Sequence, residues 1–329
     1  MTMPRITVAM SVYNTAPYLA LSIESILAQS LADFEFLIVD DGSSDGSGKI
    51  IDDFAARDPR IRPIHQPNRG LVFSLNRMIG EARAPVIARM DADDIALPHR
   101  FERQLAFLDA NPDHGVVGAW AACIDEKGDP RPESCPDHPT SHEAFLEKLE
   151  TGPLLCHPAV MMRSDVVRAA GGYHRAYRHC EDYDLWLRLS ERTRICSLAE
   201  RLILYRHSDS QVSSRHVVAQ QIGAAIAWEA HKERLAGRRD PTEHLDELPP
   251  IEQLDALFGR DGVSRAVRSK VAPGLVYSPV AMRGAGFDML MEHVNEGGSR
   301  DGLWRTAARL VRIGEAKRAL RLAAALASR

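Results

Sequence analysis

Three carboxylates follow one apolar segment of this chain within four positions. Residues 86–90 are mainly apolar, and Asp91, Asp93 and Asp94 come directly after them. If a strand continues here, Asp91 and Asp93 point to the same face, because side chains alternate along a strand. Carboxylates buried this close together repel unless a cation or protons neutralise them. Mg²⁺ bridges such oxygens to phosphates. The pattern therefore predicts a metal and phosphate site, although acidic clusters also occur at surface turns.

Two further apolar segments end in polar residues. One is followed by Asp40 and Asp41 and then by a Gly-Ser turn that leads into a predicted helix. The other is followed by Tyr13 and Asn14, again before a helical pattern. Ligands of open α/β sheets bind outside the carboxyl ends of the strands. The three strand ends are therefore predicted to form one site.

Strand and helix patterns alternate over residues 5–122, which predicts an α/β fold with a largely parallel, doubly wound sheet. The strands are predicted near 5–12, 34–40, 60–65, 85–90 and 115–122, and the helices near 16–30, 44–57, 70–82 and 98–110. The later pattern is mixed, with a helix over 181–191, a strand over 194–205 and a long helix over 214–236. The predicted domains are 1–236 and a helical carboxyl-terminal appendage, 237–329.

The bulk composition excludes several classes of protein. The 329 residues carry a formal net charge of −4, which gives no argument for a nucleic-acid partner. Five cysteines, an odd number with no C-x-x-C, argue against a disulfide framework or a zinc site and for a reducing compartment. The sequence contains no signal-peptide pattern and no apolar run long enough to span a membrane. We therefore expect a cytoplasmic protein.

Taken together, the motifs resemble the family 2 glycosyltransferases, which have the GT-A fold. The matching segments occur in the family's order over about residues 4–215, whereas residues beyond about 237 match no motif. The segments are residues 11–14, 39–45, 68–70 with 75–76, 88–94, 156–158, 171–173, 181–188, and 205–207 followed by Ser213. The resemblance implies a GT-A sheet flanked by helices, and transfer of a sugar from a nucleotide-sugar donor to an acceptor hydroxyl.

The resemblance also implies which residues bind the nucleotide. Asp41 would accept a hydrogen bond from the nucleobase or ribose, and Tyr13 and Asn14 would border the same pocket. Asn68 lies in a turn before a helix, whose amino-terminal end favours anions. Asp91 would touch the ribose or a metal-bound water. The alternative for Asp41 is a structural one, a carboxylate that caps a helix.

A Mg²⁺ or Mn²⁺ ion is the cofactor that the resemblance implies. Asp93 would be its direct ligand, and Asp94 would hold the loop. In members of the family a histidine at the position of His207 completes the metal site or contacts the diphosphate, and an imidazole with carboxylates suits Mn²⁺. The alternative is a surface histidine in a flexible loop.

Asp182 is the candidate general base by the same resemblance. It would take the proton of the acceptor hydroxyl as that oxygen attacks the anomeric carbon, which implies inversion. Glu181 would support the loop or bind the acceptor, and His157 would lie beside the acceptor cleft. From the residues alone, Glu181 and Asp182 are acids in the first turn of a helix, where negative side chains are favoured in any case.

The expected partners are a nucleotide-sugar donor, with a UDP-sugar favoured, and a saccharide or lipid-linked acceptor in cell-surface polysaccharide or glycoconjugate synthesis. Residues 300–329 hold eight Lys or Arg, two acids and an apolar stripe. Such a basic amphipathic helix suits peripheral contact with the inner face of the plasma membrane. The alternative is a helical cap packed on its domain.

Two other functions fit parts of the sequence. A nucleotidyltransferase also uses a carboxylate pair on an α/β sheet, but the Gly-rich loop expected after its first strand is missing. A silent nucleotide-sugar-binding subunit would not need Asp93 and Asp182.

Overall fold

The computed structural model describes residues 3–132, 135–207 and 216–328. The chain divides into two compact units, of which the first comprises residues up to Arg175 together with Glu181–Gln211. The second comprises Ala176–Cys180 and Val212–Arg329. This division falls before the long helix, whereas the sequence placed a domain boundary after it. Ser213 and the predicted start of that helix at residue 214 lie outside the described residues.

The first unit is built on one sheet, which has eight strands in the described part of the chain. They are β1 (Ile6–Val12), β2 (Phe34–Asp40), β3 (Ile61–His65), β4 (Val86–Asp91), β5 (Ile95–Ala96), β6 (His114–Ile124), β7 (Met161–Arg163) and β8 (Arg194–Arg206). Their order is β3-β2-β1-β4-β7-β6-β8-β5. The first four strands are parallel, as are β6 and β8, while β7 and β5 pair with their neighbours antiparallel. This is the mostly parallel GT-A sheet that the sequence predicts.

Seven helices of the first unit connect these strands in the described ranges. They are α1 (Ala16–Leu27), α2 (Ser47–Ala55), α3 (Leu71–Glu81), α4 (Arg100–Ala110), α5 (His142–Lys148), α6 (Ser164–Ala169) and α7 (Glu181–Ser190). The central strands β1 and β2 are buried almost throughout, which explains their continuous apolar sequences. The short strands β5 and β7 have two and three residues, too few to show a periodic pattern.

The pairing register of β1 brings the polar strand ends together. Ser11 lies beside Val39 of β2 on one side and beside Asp91 of β4 on the other, and Val12 lies beside Asp40. The carboxyl ends of β1, β2 and β4 therefore meet at one edge of the sheet. This confirms the predicted meeting of the three polar segments.

The second unit is helical. Its helices in the described ranges are α8 (Val217–Leu235), α9 (Leu254–Phe258), α10 (Val263–Leu275), α11 (Pro279–Met282), α12 (Ala285–Asn295), α13 (Leu303–Arg312) and α14 (Ala316–Ala327). The predicted amphipathic helix over 300–329 is two helices, with a break at Gly314, which has a φ of 84°. Its apolar stripe is divided as well, since Leu303 and Leu310 are buried while Trp304 is exposed. Among the described residues no helix is both long and apolar enough to cross a bilayer.

Helix α7 contains a buried ion pair, and its arginine also binds the 170–172 turn. The Arg188 guanidinium donates to Asp184 Oδ2 at 2.8 Å and to the carbonyl oxygens of Ala170 and Gly172 at 2.6 and 2.7 Å. Burial by itself would raise the pKa of Asp184. Arg188 and the nearby His174 outweigh burial and lower that pKa from 3.8 to about 2. The pair therefore locks the helix that carries Glu181 and Asp182 onto the 170–172 turn.

We expect Asp184→Asn to lower the free energy of unfolding by about 3–5 kcal/mol, because it leaves the Arg188 charge buried without a partner. A carboxyl with a lowered folded-state pKa stabilises above its unfolded value and loses that contribution as the pH falls through the folded value. The deficit of the variant should thus be full above about pH 4 and shrink toward about pH 2. Chemical denaturation over a pH series measures it.

The control is Asp53→Asn, which removes an exposed pair with Lys49 and should change stability by no more than about 0.5 kcal/mol. Equal losses in both variants, or a deficit of the Asp184 variant that does not depend on pH, would contradict the assignment.

Candidate active site

Asp91, Asp93 and Asp94 form one cluster, but not in the way that strand alternation predicts. Strand β4 ends at Asp91, and the chain then turns over residues 92–93. The expectation that Asp93 continues the strand is therefore wrong. The turn instead folds the three carboxylates together, and one oxygen of each lies within 4.8 Å of the others.

The cluster carries more negative charge than its surroundings neutralise. Burial and the neighbouring Asp91 raise the pKa of Asp93 to about 6. Burial, Asp91 and Asp93 raise the pKa of Asp94 well above its ordinary value. Asp94 Oδ2 is buried and accepts no hydrogen bond from the described residues. A crowded set of oxygens with one left unsatisfied fits a hard divalent cation.

Two arginines hold this cluster in place. Arg89 lies on the same strand face as Asp91 and binds both carboxylate oxygens, at 2.6 and 2.5 Å. The backbone N–H of Arg206 donates to Asp94 Oδ1 at 2.8 Å, and its Nε donates to the Asp93 carbonyl at 2.8 Å. Arg89 is two positions before Asp91 in β4, so strand alternation is enough to place it here. The clamp formed by Arg206 depends on β8 lying near the turn, which only the fold reveals.

Tyr13 and Asn14 border the same edge of the sheet. Asn14 has a φ of 52°, a conformation that asparagine tolerates. Its Oδ1 accepts from the N–H of Ser44 at 2.8 Å, and its N–H donates to Ser43 Oγ at 3.0 Å. The Tyr13 side chain is exposed. Asn14 thus ties the β1 and β2 loops together and leaves Tyr13 facing outward.

Asp41 is buried and already bonded to protein groups. It accepts from Gln66 Nε2 at 2.7 Å and from the N–H groups of Arg69 and Gly70 at 2.9 and 2.8 Å. Gly70 precedes α3, so the carboxylate holds the turn before α3 and does not cap α2, the helix that follows its own strand, as the structural alternative expected. A carboxylate has about four acceptor sites, so these hydrogen bonds leave room for one more donor. Contact of Asp41 with a nucleotide stays a prediction.

Asn68 is exposed in the turn that Asp41 holds. The backbone of Gly42 passes very close to it. Gly42 has a φ of +80°, and a Cβ there would lie 2.7 Å from the Asn68 backbone nitrogen. Glycine is needed because both the conformation and the space exclude a side chain.

His157 lies in an aromatic group with Tyr173 and Trp186. Its Nε2 is 2.7 Å from the Tyr173 hydroxyl, and its ring packs edge-on against Trp186 at 5.8 Å. Burial, and then the Arg89 charge, hold the pKa of His157 well below its usual value. The imidazole is thus neutral near pH 7, and it is half-buried and hydrogen-bonded.

Asn76 positions Tyr173, a role that the sequence did not suggest. Its side-chain amide accepts from the Tyr173 N–H at 2.8 Å and donates to the Tyr173 carbonyl at 2.7 Å. A Cβ on Gly172, whose φ is +68°, would collide with Asn76 Oδ1. In the Gly-Gly-Tyr motif, the second glycine therefore leaves space for the Asn76 side chain of α3, and the tyrosine backbone binds that side chain.

Asp182 lies in the first turn of α7, half-buried, with its Oδ1 accepting from the Tyr183 N–H at 2.7 Å. Burial raises the pKa of Asp182, while that hydrogen bond and the Arg89 charge oppose the rise. Asp91 is also near enough for its charge to raise this pKa. Asp182 therefore belongs to the same electrostatic site as the carboxylate cluster. Glu181 beside it is buried.

His207 is not grouped with the three carboxylates. Its Nε2 lies 3.3 Å from Cys123 Sγ, and Cys123 is disulfide-bonded to Cys135. The expectation of five unpaired cysteines is therefore wrong for this pair. The two cysteines are 12 residues apart, and this spacing matches no motif from which a disulfide could be predicted. The role of His207 as a ligand of the donor-site metal stays a prediction.

Comparison with known sequences identifies relatives of this chain. Residues 7–171 match the family model of Glycosyl transferase family 2. The chain is 37% identical over 228 residues to EpsE of Bacillus subtilis (strain 168), which is named as a glycosyltransferase, and covers 80% of it with 68% of its own length. It is 33% identical over 214 residues to the O-antigen biosynthesis glycosyltransferase WbnJ of Escherichia coli, covering 82% of that protein with 64% of this one.

Solved structures share the fold at low sequence identity. S. aureus TarS 1-349 in complex with UDP superposes with a TM-score of 0.58 and 14% identity, over 96% of this chain and 89% of that one. The mannosyltransferase PcManGT from Pyrobaculum calidifontis, in complex with GDP-Man and Mn²⁺, gives a TM-score of 0.53 and 15% identity over 98% and 87%. The strand ends, the carboxylate cluster and the sequence match agree, and the chain belongs to glycosyl transferase family 2, as a glycosyltransferase of GT-A fold.

Proposed function

We propose that this glycosyltransferase is metal-dependent and inverting, and that it moves a sugar from a nucleotide-sugar donor to an acceptor hydroxyl. The observation that carries the proposal is the cluster of three carboxylates at the carboxyl edge of the sheet, with Asp94 Oδ2 unsatisfied among the described residues. Asp182, a carboxylate of raised pKa, lies within electrostatic range of the cluster.

The nucleotide would bind along the ends of β1, β2 and β4. Tyr13 offers an exposed ring for the base, and Asn14, Asp41 and Asn68 shape the loops around it. Asp91 would lie near the ribose. A UDP-sugar is the favoured donor, and UDP or UDP-GlcNAc is bound in the S. aureus TarS structures. The GDP-Man complex of PcManGT makes a guanine nucleotide the first alternative.

Asp93, with Asp91 and Asp94, would hold Mg²⁺ or Mn²⁺. When bound, the cation would neutralise charge on the diphosphate leaving group. His207 as a further ligand remains a prediction, since its Nε2 lies against Cys123. Arg89 and Arg206 keep the carboxylates in place by binding Asp91 and the Asp93–Asp94 turn.

Asp182 would act as the general base for the acceptor. Because burial raises its pKa, its carboxylate is a stronger base than an exposed aspartate. Transfer breaks the anomeric carbon–phosphate oxygen bond and forms a carbon–oxygen bond to the acceptor, whose proton moves to Asp182. Attack opposite the leaving group inverts the anomeric centre.

Glu181 and His157 would form the acceptor side. The neutral His157, hydrogen-bonded to Tyr173, offers a fixed polar surface beside Asp182. The acceptor we propose is a saccharide or a lipid-linked saccharide in polysaccharide or glycoconjugate synthesis. WbnJ is named for O-antigen biosynthesis, and AmsE of Erwinia amylovora is named for amylovoran biosynthesis.

Substitution of the base tests the chemistry. We expect Asp182→Asn to lower the transfer rate by about 10²–10⁴-fold, because proton removal by a positioned base contributes that much. Donor binding should remain, as measured by the nucleotide-dependent rise in Tm. The control Asp109→Asn breaks an exposed pair with Arg5 and should transfer like the wild type. Full transfer activity of the Asp182 variant would disprove its role as the base.

A nucleotide panel tests the donor site. UDP, GDP, dTDP and CMP are each added with Mn²⁺ or with EDTA while thermal unfolding is followed. A ligand that binds only the folded chain at 100 times its Kd should stabilise it by about 2.7 kcal/mol. We expect the shift with UDP and Mn²⁺, its loss in EDTA, and its loss in Asp93→Asn. A shift with UDP that persists in EDTA and in the variant would contradict the metal site.

We also propose peripheral membrane contact through α13 and α14. Trp304, Val311 and Leu320 are exposed apolar residues in a segment rich in arginine, and such a surface suits anionic lipid. The wild type should float with phosphatidylglycerol vesicles, and the triple variant with serine at these positions should not. The control Leu21→Ser/Leu146→Ser changes exposed residues elsewhere and should float. Absence of flotation for the wild type would remove the membrane contact and leave a packed helical cap.

A further inference from the structure

Three potential metal ligands meet at the end of β6. Cys123 is the next-to-last residue of that strand, and Cys135 lies beside it through the disulfide. His207, which follows β8, presents Nε2 at 3.3 Å from Cys123 Sγ. The two sulfur atoms and one ring nitrogen lie within 4.8 Å of one another. Both cysteines are buried, and the histidine is half-buried.

The backbone positions these residues independently of the sulfur–sulfur bond. Parallel pairing of β6 with β8 puts Cys123 beside Tyr205, and the His207 N–H donates to the Ile124 carbonyl at 2.9 Å. The His207 ring packs edge-on against Tyr205 at 5.0 Å. Both contacts hold the imidazole at the Cys123 end of the sheet.

A tight turn returns the chain toward Cys135. Asp125 Oδ1 accepts from the N–H groups of Lys127 and Asp129 at 2.8 and 2.9 Å. The Arg131 N–H then donates to the Cys123 carbonyl at 3.0 Å. These bonds hold residues 125–131 against the end of β6 without involving the sulfur atoms.

We propose that Cys123, Cys135 and His207 form a binding site for Zn²⁺ when the disulfide is reduced, in place of a role for His207 at the donor-site metal. Two thiolates and an imidazole are a zinc ligand set, with a fourth position open. Tetrahedral zinc at ordinary bond lengths separates a sulfur from a nitrogen ligand by about 3.5 Å and two sulfurs by about 3.8 Å. The 3.3 Å between Cys123 Sγ and His207 Nε2 is close to that spacing, and reduction lets the sulfurs separate.

Loading requires one further reactant, a dithiol that reduces the disulfide. A dithiol reductant gives two electrons and two protons to the disulfide, which yields two thiols and the oxidised reductant. Zn²⁺ then replaces the two thiol protons, which pass to water. The oxygen ligands of Asp91, Asp93 and Asp94 form a separate group and suit a harder cation.

Cobalt provides a spectroscopic probe that is independent of sugar transfer. We titrate Co²⁺ into the full chain after phosphine reduction, and into the oxidised chain, and record the thiolate-to-cobalt charge-transfer band in the near ultraviolet. Alkylation in denaturant, followed by mass spectrometry, verifies five free thiols in the first sample and three in the second. We expect the band at one equivalent of Co²⁺ in the reduced chain, its absence in the oxidised chain, and its loss on addition of Zn²⁺.

Substitutions show which residues produce the thiolate-to-cobalt charge-transfer band. Cys123→Ser/Cys135→Ser should lose it, while Cys180→Ala and Asp93→Asn should retain it, because Cys180 is outside the disulfide and Asp93 is in the oxygen cluster. A reduced wild type without the band would overturn the proposal even if a variant misfolds. A band that survives the double substitution, or that disappears in Asp93→Asn, would overturn it as well.

Discussion

Repulsion among Asp91, Asp93 and Asp94 is the constraint on which the site depends. Two like charges at about 4 Å cost about 4 kcal/mol at an effective dielectric constant of 20, so three clustered carboxylates, two half-buried and one buried, need neutralising groups. Arg89 neutralises Asp91 with two hydrogen bonds, and Arg206 satisfies one oxygen of Asp94 from its backbone. Burial and the neighbouring carboxylates raise the pKa values of Asp93 and Asp94 despite these arginines, and the charge left uncompensated would favour the proposed cation.

The residues around the cluster are held by buried polar groups rather than by apolar packing alone. Asn76 makes two hydrogen bonds with the backbone of Tyr173, and Arg188 binds the carbonyl oxygens of Ala170 and Gly172 as well as Asp184. Such groups fix direction as well as distance, because hydrogen bonds weaken when they are bent. They thereby set where His157 and Asp182 stand relative to the strand ends.

The sequence predicted the parts of this structure that follow from local patterns. Apolar runs identified the central strands, and polar residues at their ends identified the edge where β1, β2 and β4 meet. It was wrong where the chain leaves regular structure, as at Asp93, which lies in a turn that strand alternation cannot describe. It could not show that Asp41 caps the Arg69–Gly70 turn, nor that Cys123 pairs with Cys135. The contacts of Asp41 depend on the pairing of β2 with β3, which brings distant parts of the chain together. The disulfide depends on the irregular turn after β6, which no periodic pattern describes.

Arg206 contacts both the carboxylate cluster and the turn between the two cysteines of the proposed zinc site. Its Nε binds the Asp93 carbonyl, and its Nη1 binds the carbonyls of Asp125 and Glu126 in the turn between the two cysteines. Zinc binds most ligand sets more tightly than Mn²⁺ does, so carboxylates alone discriminate poorly against it. A neighbouring pair of thiols that takes zinc preferentially would leave the oxygen cluster to the harder ion. The proposed Cys123–Cys135–His207 site would then preserve the metal identity at Asp93, with Arg206 as the rigid link between the two.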